Sequence, residues 1–474
     1  MNFNKKLAVA VSGAVLLMAG QFALADSTTD IVDALVGKGV LTEEEGKLIT
    51  KGHDSKKKAD GTVGFKNGFK INSGDGKSNF SVNGRIQADY RYFDTPGPIS
   101  IGAASNETTA DTFDLRRTYL GAKGTFRNWI NYEATLDGVN GSAVLKYYWL
   151  ETAFSEKFKV RFGQDKMPMG LEQLTSSRFI DMTERDWVAS MAPAVNKGVM
   201  VHGVPKPGLT YAVSVSNGGV LSDSGATAIE TSKGADGKSY NARVTANIAE
   251  FLGNKEAIMH VGGAYGYDDS LPTFGAGALK FRTNARGTQF FATVSGLYTN
   301  PDITRYGLEG IGAFGPVKLQ AEYANMEISQ STKADRSLDA YYVNLSWMLT
   351  GETYASSYKN GVMDRMLPKN DYTGLDSAGY GAWELGARYS NFDASDFAVA
   401  DQFGTTAGNS TNKAHSYSAG IKWIVDPNTR FLMDYIYTDF GANITGTAGS
   451  TIAASAVSFH GNEKAINMRA QFDF

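Results

Sequence analysis

Strict alternation of apolar and polar residues dominates the chain. In Phe80-Ser-Val-Asn-Gly-Arg-Ile-Gln-Ala-Asp-Tyr-Arg-Tyr92, the side chains of Phe80, Val82, Ile86, Ala88, Tyr90 and Tyr92 fall on one face, and Arg85, Gln87, Asp89 and Arg91 on the other. A period of two is the signature of a β-strand, whose successive side chains point to opposite sides. The pattern returns with Ile130, Tyr132, Ala134 and Leu136, with Val317, Leu319, Ala321 and Tyr323, and with Tyr341, Val343, Leu345, Trp347 and Leu349. It recurs at Trp383, Leu385, Ala387 and Tyr389, and at Tyr417, Ala419, Ile421 and Trp423. It ends in Ile466, Met468, Ala470, Phe472 and Phe474, set against Asn467, Arg469, Gln471 and Asp473.

The connections fall into two kinds. Short turns stand at 126–129, 155–157, 313–316 and 426–429, and long Gly-, Ser-, Thr- and Asn-rich loops at 94–112, 218–238, 391–413 and 440–462. Short turns on one rim and long loops on the other predict an all-β fold, a transmembrane antiparallel β-barrel. The competing soluble β-sandwich would have to bury long rows of Arg, Asp, Glu and Gln as its core, which is costly unless that side is wet. A closed barrel with lipid outside and water inside suits both faces and leaves no free edge. About 16 to 18 strands can be counted, the uncertainty lying around 257–314, and a barrel of that size encloses an aqueous channel. Sixteen strands over residues 79–474 is the expectation.

The N-terminal region is of another kind. Residues 1–25 carry Lys5 and Lys6, an apolar run and Ala23-Leu24-Ala25, which reads as a cleaved signal peptide. Between 26 and 78, Ser27-Thr-Thr-Asp30 and Thr42-Glu-Glu-Glu45 have the form of capping boxes, predicting a short periplasmic helical segment and a tether through Lys56-Lys-Lys58.

Composition removes several function classes. Without Lys5 and Lys6, 44 basic residues face 49 acidic ones, so the mature net charge is −5, with no bias toward nucleic acid. Cysteine is absent, so stability comes without disulfides. The five His show no metal-binding spacing, and no Ser, His and acid form a recognisable triad. Gly310-Ile-Gly-Ala-Phe-Gly315 fits G-x-G-x-x-G but runs from a strand into a turn, so it is no dinucleotide loop. We expect no cofactor, no metal and no enzyme.

The informative stretch is 113–203. It contains Phe113-Asp-Leu-Arg-Arg-Thr-Tyr-Leu-Gly121, Arg161-Phe-Gly-Gln-Asp-Lys-Met-Pro-Met-Gly170, Leu174-Thr-Ser-Ser-Arg178, Glu184-Arg185 and a Gly198-Val199 strand start. In this order the motifs resemble the phosphate-selective porin O and P family, and the layout extends the resemblance over essentially the whole mature chain. The resemblance implies a homotrimer of 16-stranded barrels in outer-membrane lipid, with an arginine ladder and a central lysine-containing phosphate site. By motif position Arg116, Arg117 and Tyr119 match Arg-Arg-x-Tyr, Lys166 matches the lysine near the constriction, and Arg178 and Arg185 follow. The terminal Phe474 resembles the signal read by outer-membrane assembly machinery, which places the protein in the Gram-negative cell outer membrane. Met169, Asn196-Lys197, Asp165 and Asp186 depart from the family's pattern, and carboxylates in that place weaken an anion well.

Residue chemistry agrees in kind. The connection 165–197 is too long for a hairpin loop and is expected to fold into the lumen and narrow it. Strand parity puts Arg117, Tyr119 and Lys123 on the lumen face and Arg116 opposite, since adjacent residues point apart. Arg85 and Arg161 lie on polar faces of their own strands and join the candidates. The second long connection, 351–382, falls on the rim of short turns and is a candidate inner plug bearing Lys359, Arg365 or Lys369. The sequence therefore points to passive diffusion of phosphate or related anions. A general or weakly cation-preferring porin, and a structural or recognition barrel with a blocked lumen, are the alternatives.

Overall fold

The computed structural model describes residues 32, 34–50, 62–65, 68–94, 111–139, 143–193, 195–218, 237–269, 279–293, 297–298, 300–376, 378–397, 401, 408–441, 443–446 and 461–474. The segment read as a signal peptide, 1–25, and the Lys56–Lys58 tether lie outside the described residues.

Two units are distinguished, 1–64 with 70–79, and 65–69 with 80–474. In the first, residues 43–50 form a helix whose start is held by Thr42 and Glu45: Thr42 N–H donates to Glu45 Oε2 at 2.9 Å and Glu45 N–H to Thr42 Oγ1 at 3.2 Å. Short strands at Thr62–Phe65 and Phe69–Asn72, divided between the two units, were not announced by the alternation pattern.

The second unit is a closed antiparallel barrel. Its wall begins with β1 (Asn79–Asp94), β2 (Thr112–Phe126), β3 (Ile130–Asp137), β4 (Val144–Ser155) and β5 (Phe158–Lys166). It continues with β6 (Val195–Lys206), β7 (Leu209–Asn217), β8 (Lys238–Asn247), β9 (Ala257–Asp268), β10 (Asp302–Phe314) and β11 (Val317–Ser329). The last strands are β12 (Arg336–Met348), β13 (Ala382–Asp393), β14 (Lys413–Ile424), β15 (Thr429–Phe440) and β16 (Asn462–Asp473). Chain neighbours pair throughout, and β16 returns to β1 in a register running from Lys464↔Asp94 to Asp473↔Arg85. Sixteen wall strands are thus described. The ambiguity at 257–314 arose because β9 and β10 are separated by a small hairpin, Lys280–Arg282 against Gln289–Ala292, that is not part of the wall. Phe474 extends the closing pair: Gly84 N–H donates to Phe474 O at 2.9 Å, and Phe474 N–H to Gly84 O at 3.1 Å. A Cβ on Gly84 would lie 2.5 Å from the Phe474 ring, so any larger residue there would displace that ring.

Burial is inverted relative to a soluble protein. Ile86, Tyr92, Leu120, Phe126, Leu308, Leu319, Trp347 and Phe472 are exposed, whereas Arg85, Gln87, Asp89 and Arg91 are buried. The alternation therefore puts apolar side chains toward lipid and polar ones into the lumen.

Among the described residues, three insertions occupy that lumen. The β5–β6 connection, described over residues 167–193, has no exposed residue and holds the short helices α1 (Leu171–Leu174) and α2 (Trp187–Met191). The hairpin between β9 and β10 packs on it: Trp187, Phe281, Phe290, Phe291 and Phe392 share an apolar cluster, and Trp187 Nε1 donates to Arg282 O at 2.8 Å. From the turn rim, 349–381 folds inward on Tyr354, Met363 and Met366, which pack against Leu171, Ile258, Ile311 and Ile424. Each large apolar side chain withdrawn from water contributes about 1.5–3 kcal/mol, so a barrel with a wet inner face has acquired a dry core along part of it.

Candidate functional site: an arginine-lined constriction

Two motif glycines hold backbone conformations that favour glycine, one inside β5 and one at the start of the β5–β6 loop. Gly163 has φ 130°, and a Cβ there would lie 2.7 Å from Trp149 Cα. Gly170, at φ 77°, precedes α1, whose first N–H groups are taken by a wall carboxylate: Leu171 N–H and Glu172 N–H donate to Glu322 at 2.6 and 2.7 Å.

At the other end of α1 the free carbonyls are held by two of the predicted anion ligands. Lys166 Nζ donates to the carbonyls of Gln173, Leu174 and Thr175 at 2.6, 3.3 and 3.3 Å. Arg185 donates from Nε to Glu172 O at 2.8 Å and from Nη2 to Thr175 O at 2.7 Å. An ammonium has three donors, and three carbonyls take them here. In this structure Lys166 and Arg185 brace the constriction loop. Arg85, Arg117 and Asp165 are also electrostatic neighbours of Lys166, so positive charge converges on this point.

Arg117 is buried and donates to Gln87 Oε1 at 2.9 Å. Tyr119 is buried, with the Arg85 guanidinium 4.3 Å over its ring, and Arg85 Nη1 donates to Ser177 Oγ at 2.6 Å. Lys123 is exposed on the same face, opposite Glu133 in the register.

The expected outward placement of Arg116 is corrected. Leu115 is exposed and Arg117 buried, yet Arg116 reaches Glu184 with Nε at 2.7 Å and Nη2 at 3.1 Å. The alternation changes phase between Leu115 and Arg117, so both arginines enter the lumen.

Glu184 is the centre of that arrangement. Arg469 Nη2 lies 2.8 Å away, Arg91 3.6 Å and Arg117 3.9 Å, with Asp89 shared between Arg91 and Arg469 at 2.7 Å each. Burial alone would raise its pKa, but Arg116, Arg117 and Arg469 hold the Glu184 carboxyl well below the usual range. Nearby, burial pushes Asp186 up to about 6, although it accepts from Val188 N–H and Asn284 Nδ2 at 3.2 and 3.1 Å.

Arg161 is compensated. It pairs with Glu151 at 2.5 Å and with Asp165, lies 4.0 Å over Trp149, and shares Glu151 with His202, whose Nε2 is 2.8 Å distant.

Arg178 stands at the turn-rim side. Its Nε is 3.7 Å from Asp473 Oδ2, and the same carboxylate meets Arg365 of the inner plug. Arg430 Nη1 donates to Arg178 O at 2.7 Å. The Phe179 ring packs under both Arg365 and Arg430, at 5.3 and 4.8 Å. Sequence reasoning missed Arg430 and Arg469 as site residues. Arg469 lay on the polar face of the last strand, where its parity could have announced it. Arg430 follows a turn and carried no such signal.

A closed sixteen-stranded barrel, apolar outside and polar within, with an inserted loop narrowing a charged lumen, defines an outer-membrane porin. Residues 80–474 match the sequence model of the phosphate-selective porin O and P family, and the chain belongs to that family. Porin O of Pseudomonas aeruginosa is 27% identical over 404 residues, covering 80% of this chain and 87% of that one. Among solved structures, a loop-deleted OmpT of Vibrio cholerae superposes with a TM-score of 0.48 at 12% identity, covering 84% of this chain and all of that one. An anion-selective porin from Comamonas acidovorans gives 0.46 at 12% identity with the same coverage.

Proposed function

We propose that this porin passes small anions by passive diffusion, with phosphate the preferred solute. The observation that carries the reading is the concentration of guanidinium groups around the inserted loop, Arg85, Arg91, Arg116, Arg117, Arg178, Arg430 and Arg469, facing fewer carboxylates. A positive, partly dehydrated constriction raises the local anion concentration, and planar guanidiniums replace part of a phosphate's hydration at several weak sites. We assign Lys166 and Arg185 the task of fixing the loop while adding their charge to the field. Of the wall candidates, Lys123 is the exposed one a passing anion would meet, whereas Arg85, Arg117 and Tyr119 are buried behind the loop and act on it through the field.

Family membership also supports a homotrimer. We further infer export through the 1–25 segment and recognition of the strand ending in Phe474 by the assembly machinery.

The test is the reversal potential of the purified protein in a planar bilayer under a chloride gradient, followed by addition of phosphate. Anion selectivity with block of chloride current at low phosphate is the expected result, and a cation-selective, unblocked current would overturn the reading. The Glu151, Asp165 and His202 group around Arg161 favours one alternative, a weakly selective general porin whose solutes follow that charge-balanced wall.

A further inference from the structure

The lumen is filled unevenly. Lumen-facing polar side chains on β8 to β16 are buried, as at Asn241, Lys318, Asn344, Arg388, Thr438 and Gln471, and the β9–β10 hairpin and the inner plug both pack against this arc of wall. The lumen faces of β2 to β6 differ. Lys123 is exposed, and Thr125, Glu133, Asp137, Tyr147 and Trp149 are half-buried. Among charged groups nearer the turn rim the contrast is sharp: the side chains of Arg161 and His202 are 19 and 22% exposed, those of Lys318 and Lys422 1 and 6%. Water therefore reaches one side of the inner wall. The constriction loop bounds that side, since Glu133 is an electrostatic neighbour of Arg178, and Tyr147 of Arg185.

Charge is divided between the wall and the loop. Arg161 is committed to Glu151 at 2.5 Å and to Asp165, and Lys159 to Glu156 at 2.7 Å. Glu133 and Asp137, four residues apart on β3 and so on one face, meet neutral donors instead: Thr135 Oγ1 at 2.9 Å and Val139 N–H at 3.3 Å. Among the described residues neither has an ion-pair partner, and Lys123 stands opposite Glu133 in the register without closing one. The loop presents Arg178 and Arg185 to the same space. Carboxylates on one bank and guanidiniums on the other set a field across the passage, and such a field orients a solute that carries both charges.

We propose that solute crosses the barrel in an eccentric groove between β2–β6 and the constriction loop, and that Glu133 and Asp137 make it a route for small zwitterions, with the ammonium toward β3 and the anionic group toward the loop. The proposal rests on the chain being an open channel and not on a preference for phosphate.

The chain has no cysteine, so single substitutions report access without background. Tyr147→Cys and Thr125→Cys, on the groove wall, and Ser416→Cys, buried on β14, are treated with a charged methanethiosulfonate reagent in a planar bilayer. Current should fall in the first two and hold in the third. Reaction at Ser416→Cys, or none at either groove position, would overturn the groove. Solute class is read from liposome swelling in glycine and in glycolate, which are close in size. The glycine-to-glycolate rate ratio should drop roughly threefold when Glu133→Gln and Asp137→Asn are combined. An unchanged ratio removes the zwitterion route. A wild type without open-channel current removes the channel reading itself, whereas a conducting wild type with the wrong cysteine pattern removes only the groove.

Discussion

Two arginine clusters in the lumen solve the same electrostatic problem differently. Around Glu184, the guanidiniums of Arg91, Arg116, Arg117 and Arg469 close on a carboxylate that the chain supplies from its own inserted loop. Around Phe179, Arg178 and Arg365 share the edge of Asp473 while Arg430 donates to the Arg178 carbonyl, and several of their donors stay open. The first is a structural pin and the second is only partly neutralised. Basic residues in a channel are therefore sorted less by charge than by whether the fold provides the counter-charge.

The comparison can be broken most directly at Glu184. Replacing it by Gln leaves buried arginines without their carboxylate, and removing one partner of a buried ion pair costs about 3–5 kcal/mol. Thermal melting in detergent should show the loss. A melting point unchanged from wild type would dissolve the distinction. Lys166→Gln should cost about 1.5–3 kcal/mol, since a charged donor leaves three carbonyls. Its signature is noisier single-channel current from a loosened loop, and a quiet channel with weakened phosphate block would instead make Lys166 a direct ligand. The converse change, Gln471→Glu, supplies a carboxylate beside Arg178 and should lower anion selectivity, read by the chloride-gradient reversal potential.

The smallest effect concerns pH. Glu184 sits below its ordinary value of 4.5, so its contribution is present above about 4.5 and fades as pH falls beneath it. Asp186, raised to about 6 by burial, contributes fully below its ordinary 3.8 and loses that contribution as pH rises through about 6. Protease resistance of the 167–193 loop should therefore be greatest between roughly pH 3.8 and 4.5 and fall as pH rises to about 6. A resistance that climbs steadily to pH 8 would show that Asp186 does not matter to the loop.

How much of this was readable beforehand follows from the range of the interactions. The wall was legible because lipid and water impose a period of two on every strand, from Phe80 to Phe472, without reference to any partner. The 165–197 connection stood out by its length alone. Which basic groups face solute was not legible, because Lys166 is satisfied by carbonyls that only α1 brings near, and Arg116 turns inward through a phase change that parity arguments forbid. Arg430 gains meaning only beside Arg178 and Arg365, 252 and 65 positions away in sequence for the first and second respectively.

The inserted loop also has a mechanical meaning. Its residues 171–188 bond to β1 through Ser177, to β2 and β16 through Glu184, to β15 through Thr183, to β13 through Glu172 and Asp186, and to β11 through Leu171 and Asp181. These contacts act as spokes across a hoop. A plain strand cylinder can ovalise under lateral pressure from the bilayer, whereas a spoked one transmits the load from wall to wall, so the bore keeps its width when the surrounding membrane does not.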